Sequence, residues 1–343
     1  MSTNRTTILL LSLFLLLLLT LLLNISLGQV AIPVREVFKC LLGEEVSKET
    51  WEYIILNFRL PKATTAILVG MGLSVAGLLM QTFFRNPLAG PYVLGLSSGS
   101  SLGVAFVILG AGYLPSFLTT FLLSSYGIIL GSCLGSLLVL LLILIVSQRL
   151  RDTMSILIVG LMFSSFTAAI VNVFTYFSSA EQLQKYTFWS MGSIGNLSWT
   201  NISIVAVCVG VGLLLSLYTL KPLDALLLGE NYAKSMGINM KNVRFLIIFA
   251  TSILAGSITA FAGPIAFVGL AVPHLAKLLF KTSTHAILFA GTLLIGAIIM
   301  LLCDLISQMP GFEFTLPINA ITSIIGAPMV IWLIVSNKNK RMI

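Results

Sequence analysis

The sequence predicts an all-α polytopic membrane protein with about ten transmembrane helices. Of its 343 residues 58% are hydrophobic and only 9% are charged, and the mean hydropathy is +1.07. A soluble globular protein could not bury so much apolar surface. Apolar stretches of about 20 residues, the length of a membrane-spanning helix, recur along the chain. No linker, low-complexity tract or soluble domain interrupts them, and the longest polar stretches are 29–62, 178–198 and 220–242, so we expect a single transmembrane domain over residues 1–343.

The first apolar stretch, which follows Arg5, would also suit a signal peptide. We expect a retained helix, because the stretch is long and residues 27–30 offer no cleavage site between small residues. The fourth span is long enough to include a loop, and the eighth is short. The predicted spans are 7–28, 63–82, 92–111, 118–147, 154–177, 199–219, 243–262, 265–280, 286–307 and 316–336.

Basic residues predict the orientation, because Lys and Arg are concentrated in cytoplasmic loops. With the N-terminus inside, 13 of the 19 basic residues fall in inner loops. An even number of spans then places both termini in the cytoplasm. The net charge of +8 is therefore a topology signal, and we predict no nucleic-acid partner.

Residues 59–98 combine a Gly-rich apolar helix, an NPLAGP corner and a second apolar run rich in Gly and Ser. In lipid, small residues let helix backbones approach closely. We therefore predict a packed transmembrane hairpin. The small residues of its first helix are Gly70, Gly72, Ser74, Ala76 and Gly77.

The spacing of Gly70 and Gly77 recurs at Gly256 and Gly263, and a break containing Pro follows each pair. In the predicted topology the two spans run in opposite directions. This pattern indicates an inverted repeat of spans 2–5 and 7–10.

Residue types that carry chemistry are scarce. The sequence has no G-x-x-x-x-G-K-[ST] phosphate loop, no H-E-x-x-H and no Ser-His-Asp set, so we predict no catalytic residue and no cofactor. Its four Cys residues lack the spacing of a metal site. Asp304 is the one acidic residue predicted at membrane depth, near the outer end of span nine. Ion-coupled carriers need ionisable groups at membrane depth, and this sequence has almost none. Because it also lacks a phosphate loop for ATP, an energy-driven function would require a partner chain.

The inner loop at 220–242 is the most informative loop. Lys221-Pro222 is predicted to end span six, and Leu223–Leu228 forms a short apolar turn. Gly229 breaks this turn, and residues 230–236 form a second short helix that Gly237 closes. Two short helices below the membrane domain would form a protruding surface to which a partner protein could bind. The alternative is an ordinary loop whose basic residues only set the topology.

Six motifs cover nearly the whole chain in an order typical of one transporter family. They are RLPK at 59–62, G-x6-GLLMQ at 70–81, RNPLAGPYVLGLSSG at 85–99, LLLGENYAKSMGI at 226–238, AGPIAFVGLAVPH at 262–274 and TLPINAITSIIGAPMVIWLI at 315–334. With them the chain resembles the FecCD-type permeases of bacterial ABC importers. That family moves iron–siderophore complexes, haem and cobalamin.

The resemblance implies a homodimeric permease in the bacterial inner membrane that is not itself an enzyme. Its implied partners are a dimer of a separate ABC ATPase and an extracytoplasmic substrate-binding protein. The substrate would be a metal chelate, with an iron(III)–siderophore first and haem or cobalamin next. The residues assigned to ATPase coupling are Leu228, Gly229, Glu230, Ala233 and Gly237.

The resemblance also assigns roles outside the coupling loop. Arg59 and Lys62 occupy the basic positions of the RLPR motif, which implies exposed charges that dock the binding protein. The residues matched to the pathway or its gate are Asn86, Leu88, Thr153, Ser164 and Ser165. From the sequence alone, Asn86 reads equally well as a helix stop and Thr153 as a helix cap.

The chain departs from the family pattern at the outer face. Thr315 and Asn319 stand where the family has Glu and Gly, and Gln308 stands where cobalamin permeases have Arg. We therefore expect an outer docking surface with its own charge pattern, to which Lys185 or Glu313 could contribute.

Two other classes of function remain open at this point. A gradient-driven secondary transporter with inverted repeats would need acids or bases within the membrane. A membrane-embedded enzyme or scaffold would need polar groups that converge.

Overall fold

The computed structural model describes residues 3–110, 121–150, 153–195, 197–309 and 314–340, and these residues contain helices and no strand. Seven of the described helices are long and apolar enough to cross a membrane, and three shorter apolar helices accompany them. Each predicted span overlaps one of these helices. The all-α polytopic class is confirmed, whereas the number of crossings and the side of each terminus stay predictions.

The helices are numbered here in chain order. They are α1 Thr3–Ser26, α2 Val34–Leu42, α3 Glu49–Ile54, α4 Leu60–Phe83, α5 Leu96–Ile108, α6 Ser125–Arg149, α7 Thr153–Tyr176, α8 Ala180–Ser190, α9 Trp199–Leu228, α10 Glu230–Ser235, α11 Met240–Ala262, α12 Val268–Phe280, α13 His285–Ser307 and α14 Ile318–Lys340. A π-helical turn, Ile55–Arg59, joins α3 to α4, and a 3-10 turn, Pro91–Leu94, precedes α5.

The chain forms two compact units that alternate along the sequence. The first consists of Met1–Val75, Ser193–Ala206 and Ile265–Ile343, and the second of Ala76–Gly192 and Val207–Pro264. Two long helices, α4 and α9, therefore contribute residues to both units.

In the first unit, α13 packs against α1, α12 and α14, and α4 approaches it at a pair of glycines. A Cβ atom built on Gly70 would lie 2.2 Å from the carbonyl oxygen of Gly296 in α13. The close approach predicted from the small residues of α4 is confirmed. Its partner is α13, however, rather than the second helix of the predicted hairpin.

In the second unit, α5 packs against α6 through two more glycine pairs. A Cβ atom on Gly99 would lie 2.6 Å from the Gly135 carbonyl oxygen, and one on Gly103 would lie 1.9 Å from that of Gly131. The buried core beside this contact includes Val104, Ala105, Ile108 and Leu109 of the α5 segment, and Trp189 of α8 packs against it.

The polar segment at 29–62 contains two short helices, α2 and α3. Glu36 of α2 accepts a hydrogen bond from the backbone N–H of Ser47 at 2.8 Å and pairs with Lys39 at 3.4 Å. The Ser47 N–H, and then Lys39, lower the pKa of the Glu36 carboxyl. These bonds tie the segment after α2 back onto the helix.

The predicted end of span six at Lys221-Pro222 is wrong. Helix α9 continues through Pro222 to Leu228. A Pro removes one backbone donor, which a helix tolerates when its surroundings hold the following turn. Leu223 is fully buried and Leu226 is 5% exposed, so packing fixes the last turns of α9.

The two glycine pairs behind the predicted inverted repeat differ in local structure. Gly77 lies inside α4, whereas Gly263 ends α11 with a φ of +73°. Equal spacing therefore does not correspond to equal backbone positions, and the inverted repeat stays a prediction.

Candidate functional site

The predicted coupling segment, residues 223–237, folds as the last turns of α9 followed by the short helix α10. Gly229 separates the two helices with φ +125° and ψ +149°, a conformation that side chains other than Gly rarely adopt. Gly237 has a φ of +82°, and its N–H donates to the Lys234 carbonyl at 3.0 Å. The predicted break at Gly229 and the predicted cap at Gly237 are both confirmed.

The coupling segment exposes large apolar side chains. Leu228 is 67% exposed, Tyr232 49% and Met236 60%, and an exposed apolar group of this kind suits an interface with another protein. Glu230 pairs with Lys234 one helical turn away at 3.1 Å. Ala233 is fully buried, so its side chain packs inward and does not belong to this surface.

The NPLAGP corner follows the end of α4 at Phe83. Asn86 Oδ1 accepts a hydrogen bond from the Leu88 N–H at 2.9 Å, and the Asn86 carbonyl accepts one from the Ala89 N–H at 3.0 Å. These bonds confirm Asn86 as a turn residue. Leu88 is 47% exposed. The gating role of Asn86 and Leu88 stays a prediction.

The other predicted pathway residues lie on α7. Thr153 is its first residue, and its side chain lies outside the described part of the structure. Ser164 Oγ donates to the Gly160 carbonyl at 3.0 Å and lies against Gly95, whose Cβ would be 3.2 Å away. Ser165 is exposed and donates to the Leu161 carbonyl at 3.1 Å. Both hydroxyl protons are therefore used within the helix.

Arg85 joins the corner to the coupling segment. Its Nη2 atom donates to the carbonyl oxygen of Leu226 at 2.8 Å, three residues before Gly229. The two residues are 141 positions apart in the sequence. Sequence reasoning missed this contact, since no spacing pattern connects positions so distant.

Arg59 and Lys62 belong to a buried polar network in the first unit. Arg59 is 7% exposed and donates to the carbonyls of Ile25 at 2.5 Å, Ser26 at 2.8 Å and Val30. Lys62 Nζ lies 2.9 Å from Oδ1 of Asp304. The exposure expected for Arg59 is therefore wrong, because backbone carbonyls hold the guanidinium inside. The docking role of both residues stays a prediction.

Asp304, which is fully buried, is the centre of this network. Its Oδ2 atom accepts hydrogen bonds from Asn24 Nδ2 at 2.9 Å and from Gln308 Nε2 at 2.7 Å. The network thus connects α1, the start of α4 and the end of α13. A buried charge is costly unless it is paired and hydrogen-bonded, and Asp304 meets both conditions.

The departures from the family motif acquire structural roles. Gln308, in place of an Arg, serves as a donor to Asp304. Asn319, in place of a Gly, accepts the backbone N–H of Ala266 at 3.0 Å and so holds the turn before α12. Thr315 is exposed. Lys185 pairs with Glu181 at 2.8 Å, and Glu313 lies outside the described residues.

The long apolar helices define a polytopic membrane protein, and the coupling segment between two of them exposes an apolar surface. The chain belongs to the FecCD transport family, whose profile matches residues 16–336. It is 32% identical to the hemin transport system permease HmuU of Yersinia pestis over 331 residues, 96% of this chain and 97% of that protein.

Two further relatives agree with this assignment. The vitamin B12 import permease BtuC of Citrobacter koseri is 32% identical over 290 residues, 84% of each chain. Among solved structures, an inward-facing transporter assigned to the metal-chelate ABC type superposes with a TM-score of 0.84. That structure is 29% identical in sequence, and the match covers 96% of this chain and 99% of the other.

Proposed function

We propose that the chain is the membrane-spanning subunit of a binding-protein-dependent ABC importer for a metal chelate in the bacterial inner membrane. An iron(III)–siderophore is the first candidate substrate, and haem and cobalamin follow. Two copies of the permease would form the pathway, a separate pair of ABC ATPases would drive it, and a binding protein outside would deliver the substrate.

The family match over residues 16–336 carries this proposal. Two relatives that span most of the chain are named for hemin and vitamin B12 transport, and both substrates are bulky metal chelates. The proposed substrate class follows from what these relatives share. The preference for a siderophore rests on the resemblance to the FecCD family.

The coupling segment supports the ATPase partner. Leu228 exposes apolar surface at the end of α9, and Tyr232 and Met236 expose it between Gly229 and Gly237, the two glycines that delimit the short helix α10. A short rigid helix with an apolar face can occupy a groove of another protein and follow its movement as a unit. Arg59 and Lys62 stay our proposed docking residues for the binding protein, and Asn86, Leu88, Thr153, Ser164 and Ser165 our proposed pathway residues.

Reconstitution tests the proposed function. The tagged chain is purified from its native membrane in mild detergent, its co-purifying proteins are identified by mass spectrometry, and the complex is placed in liposomes. We expect an ABC ATPase and a binding protein among the partners. We expect uptake of a radiolabelled ferric hydroxamate, haemin or cyanocobalamin that requires ATP and is indifferent to imposed ion gradients.

Two results would contradict the proposal. Uptake by the purified chain alone under a proton or sodium gradient would favour the gradient-driven secondary transporter. ATP-dependent uptake of a small ion, with none of the three chelates transported, would keep the ABC mechanism and overturn the substrate class.

A further inference from the structure

We propose that Arg85 is a positioning residue that transmits movement of the coupling segment, residues 223–237, to the gate corner, residues 85–91. This inference rests on the proposed function, because it assumes that an ATPase moves the coupling segment. The observation behind it is the 2.8 Å hydrogen bond from Arg85 Nη2 to the Leu226 carbonyl oxygen. Both residues belong to the same compact unit.

The backbone at Arg85 is the first argument. Arg85 has a φ of +47°, its N–H donates to the Thr82 carbonyl at 3.1 Å, and the Asn86 N–H donates to the Gln81 carbonyl at 3.1 Å. This is the turn that closes a helix with a left-handed residue, where Gly is strongly preferred. A side chain at that position is strained, so its presence points to a use for the guanidinium.

The acceptor of the hydrogen bond is the second argument. The Leu226 carbonyl also accepts the Gly229 N–H at 3.1 Å, so it belongs to the turn that separates α9 from α10. A Cβ atom on Gly229 would lie 3.9 Å from Arg85 Nη2. The guanidinium is therefore bound at the joint of the coupling segment, and a displacement of that joint displaces Arg85.

The other end of the connection is the corner itself. Asn86, the next residue, holds the Leu88 N–H through its side chain at 2.9 Å. A displacement of Arg85 therefore acts on the turn that carries Leu88. The connection from the Leu226 carbonyl to Leu88 thus consists of the Arg85–Leu226 hydrogen bond, the peptide bond from Arg85 to Asn86, and the Asn86–Leu88 hydrogen bond.

Lys281 offers a matched control. It also has a φ of +47°, and its N–H donates to the Lys277 carbonyl at 3.0 Å at the end of α12. Its side chain is exposed and contacts no described residue through a hydrogen bond or an ion pair. Replacement of Lys281 by Gly makes the same backbone change without removing a connection.

The experiment compares Arg85→Gly, Arg85→Lys and Lys281→Gly with the wild type in the reconstituted complex. The measured quantity is the number of chelate molecules taken up per ATP hydrolysed. The probe is whichever of radiolabelled ferric hydroxamate, haemin and cyanocobalamin the wild-type complex takes up. For Arg85→Gly we expect this ratio to fall about tenfold, the size of effect that loss of one charge-assisted hydrogen bond supplies. Arg85→Lys keeps a cation and restores part of the ratio, and Lys281→Gly leaves it unchanged.

Thermal unfolding of each variant separates coupling from folding, because Gly relieves the strain at position 85. Arg85→Gly should unfold at or above the wild-type temperature and still co-purify its ATPase. A wild-type ratio in Arg85→Gly, an equal fall in Lys281→Gly, or loss of the ATPase from the Arg85→Gly complex would each overturn the inference. Absence of ATP-dependent uptake by the wild-type complex would instead overturn the proposed function.

Discussion

Three arginine side chains hold the carbonyl groups at the C-terminal ends of helices. Arg59 binds the Ile25 and Ser26 carbonyls of α1, and Arg85 binds the Leu226 carbonyl of α9. Arg244 Nη1 donates to the Ser147 carbonyl at 3.2 Å and the Leu150 carbonyl at 2.6 Å, at the end of α6. The last carbonyls of a helix lack partners within it, and the several donors of a guanidinium suit them.

The ion pair of Lys62 with Asp304 carries the first prediction. Lys62→Met leaves the buried carboxylate without its cation, which typically costs about 3 kcal/mol or more. Lys62→Met combined with Asp304→Asn removes both charges and keeps an amide oxygen for Asn24 and Gln308. We expect the double variant to recover more than half of the loss. The measurement is the unfolding midpoint in mixed micelles of SDS and mild detergent.

A second ion pair provides the control for this prediction. Lys185 and Glu181 are 2.8 Å apart, and their side chains are 53% and 76% exposed. Solvent screens such a pair, so Lys185→Met should leave the unfolding midpoint unchanged. Equal effects of Lys62→Met and Lys185→Met would show that the ion pair of Lys62 with the buried Asp304 stabilises the protein no more than an exposed ion pair does.

The residues of the network could be found in the sequence one at a time but not as a network. Asp304 stands out as an acid within an apolar span, and Lys62 as part of the RLPK motif. Their contact depends on the packing of helices that lie far apart in the chain. Asn24, 280 residues from Asp304, gives no signal within its Leu-rich helix.

At the scale of elements, close helix contacts depend on glycines that face each other. Gly70 meets Gly296, Gly99 meets Gly135 and Gly103 meets Gly131. In lipid the hydrophobic effect does not drive helices together, so van der Waals contact between closely packed backbones has to stabilise their association. A methyl group between such backbones would separate the helices.

The contact between α4 and α13 carries the second prediction. Gly70→Ala places a Cβ atom 2.2 Å from the Gly296 carbonyl oxygen, and backbone cannot move aside as a flexible side chain can. We expect a loss of about 2 kcal/mol, typical of an overpacked core, again measured as the unfolding midpoint in mixed micelles.

Gly210→Ala in α9 provides the matched control for Gly70→Ala. No atom lies within 4 Å of a Cβ built on Gly210, and Ala has a higher helix propensity than Gly. This change should leave stability equal or raise it by up to about 1 kcal/mol. If both variants lose stability equally, the close contact at Gly70 does not explain the packing of α4.

Hydrophobicity predicts where the helices lie, and local rules predict several of their ends. The break at Gly229 and the cap at Gly237 follow from glycine alone. The end predicted at Lys221-Pro222 fails because burial of Leu223 and Leu226 outweighs the local effect of Pro222. Gly70 contacts α13 and not α5. This pairing depends on the tertiary packing, and the small residues of α4 alone do not predict which helix they contact.

At the scale of the whole molecule, the predicted functional segments divide between the two compact units. Arg59, Lys62 and Asp304 belong to the first unit, and the gate corner and the coupling segment belong to the second. The hydrogen bond of Arg85 is internal to the second unit. The residues of each predicted role therefore lie within one unit.

The exposed face of the coupling segment carries the last prediction. Leu228 is 67% exposed at the end of α9, and Leu228→Asp places a charge on a surface that we propose is buried against the ATPase. We expect at least a tenfold loss of co-purified ATPase, because an unpaired buried charge typically costs more than about 1.4 kcal/mol. Leu42→Asp is the control, since Leu42 is 72% exposed on α2, on the predicted outer side. The interface proposal is wrong if Leu228→Asp retains the ATPase as well as Leu42→Asp does.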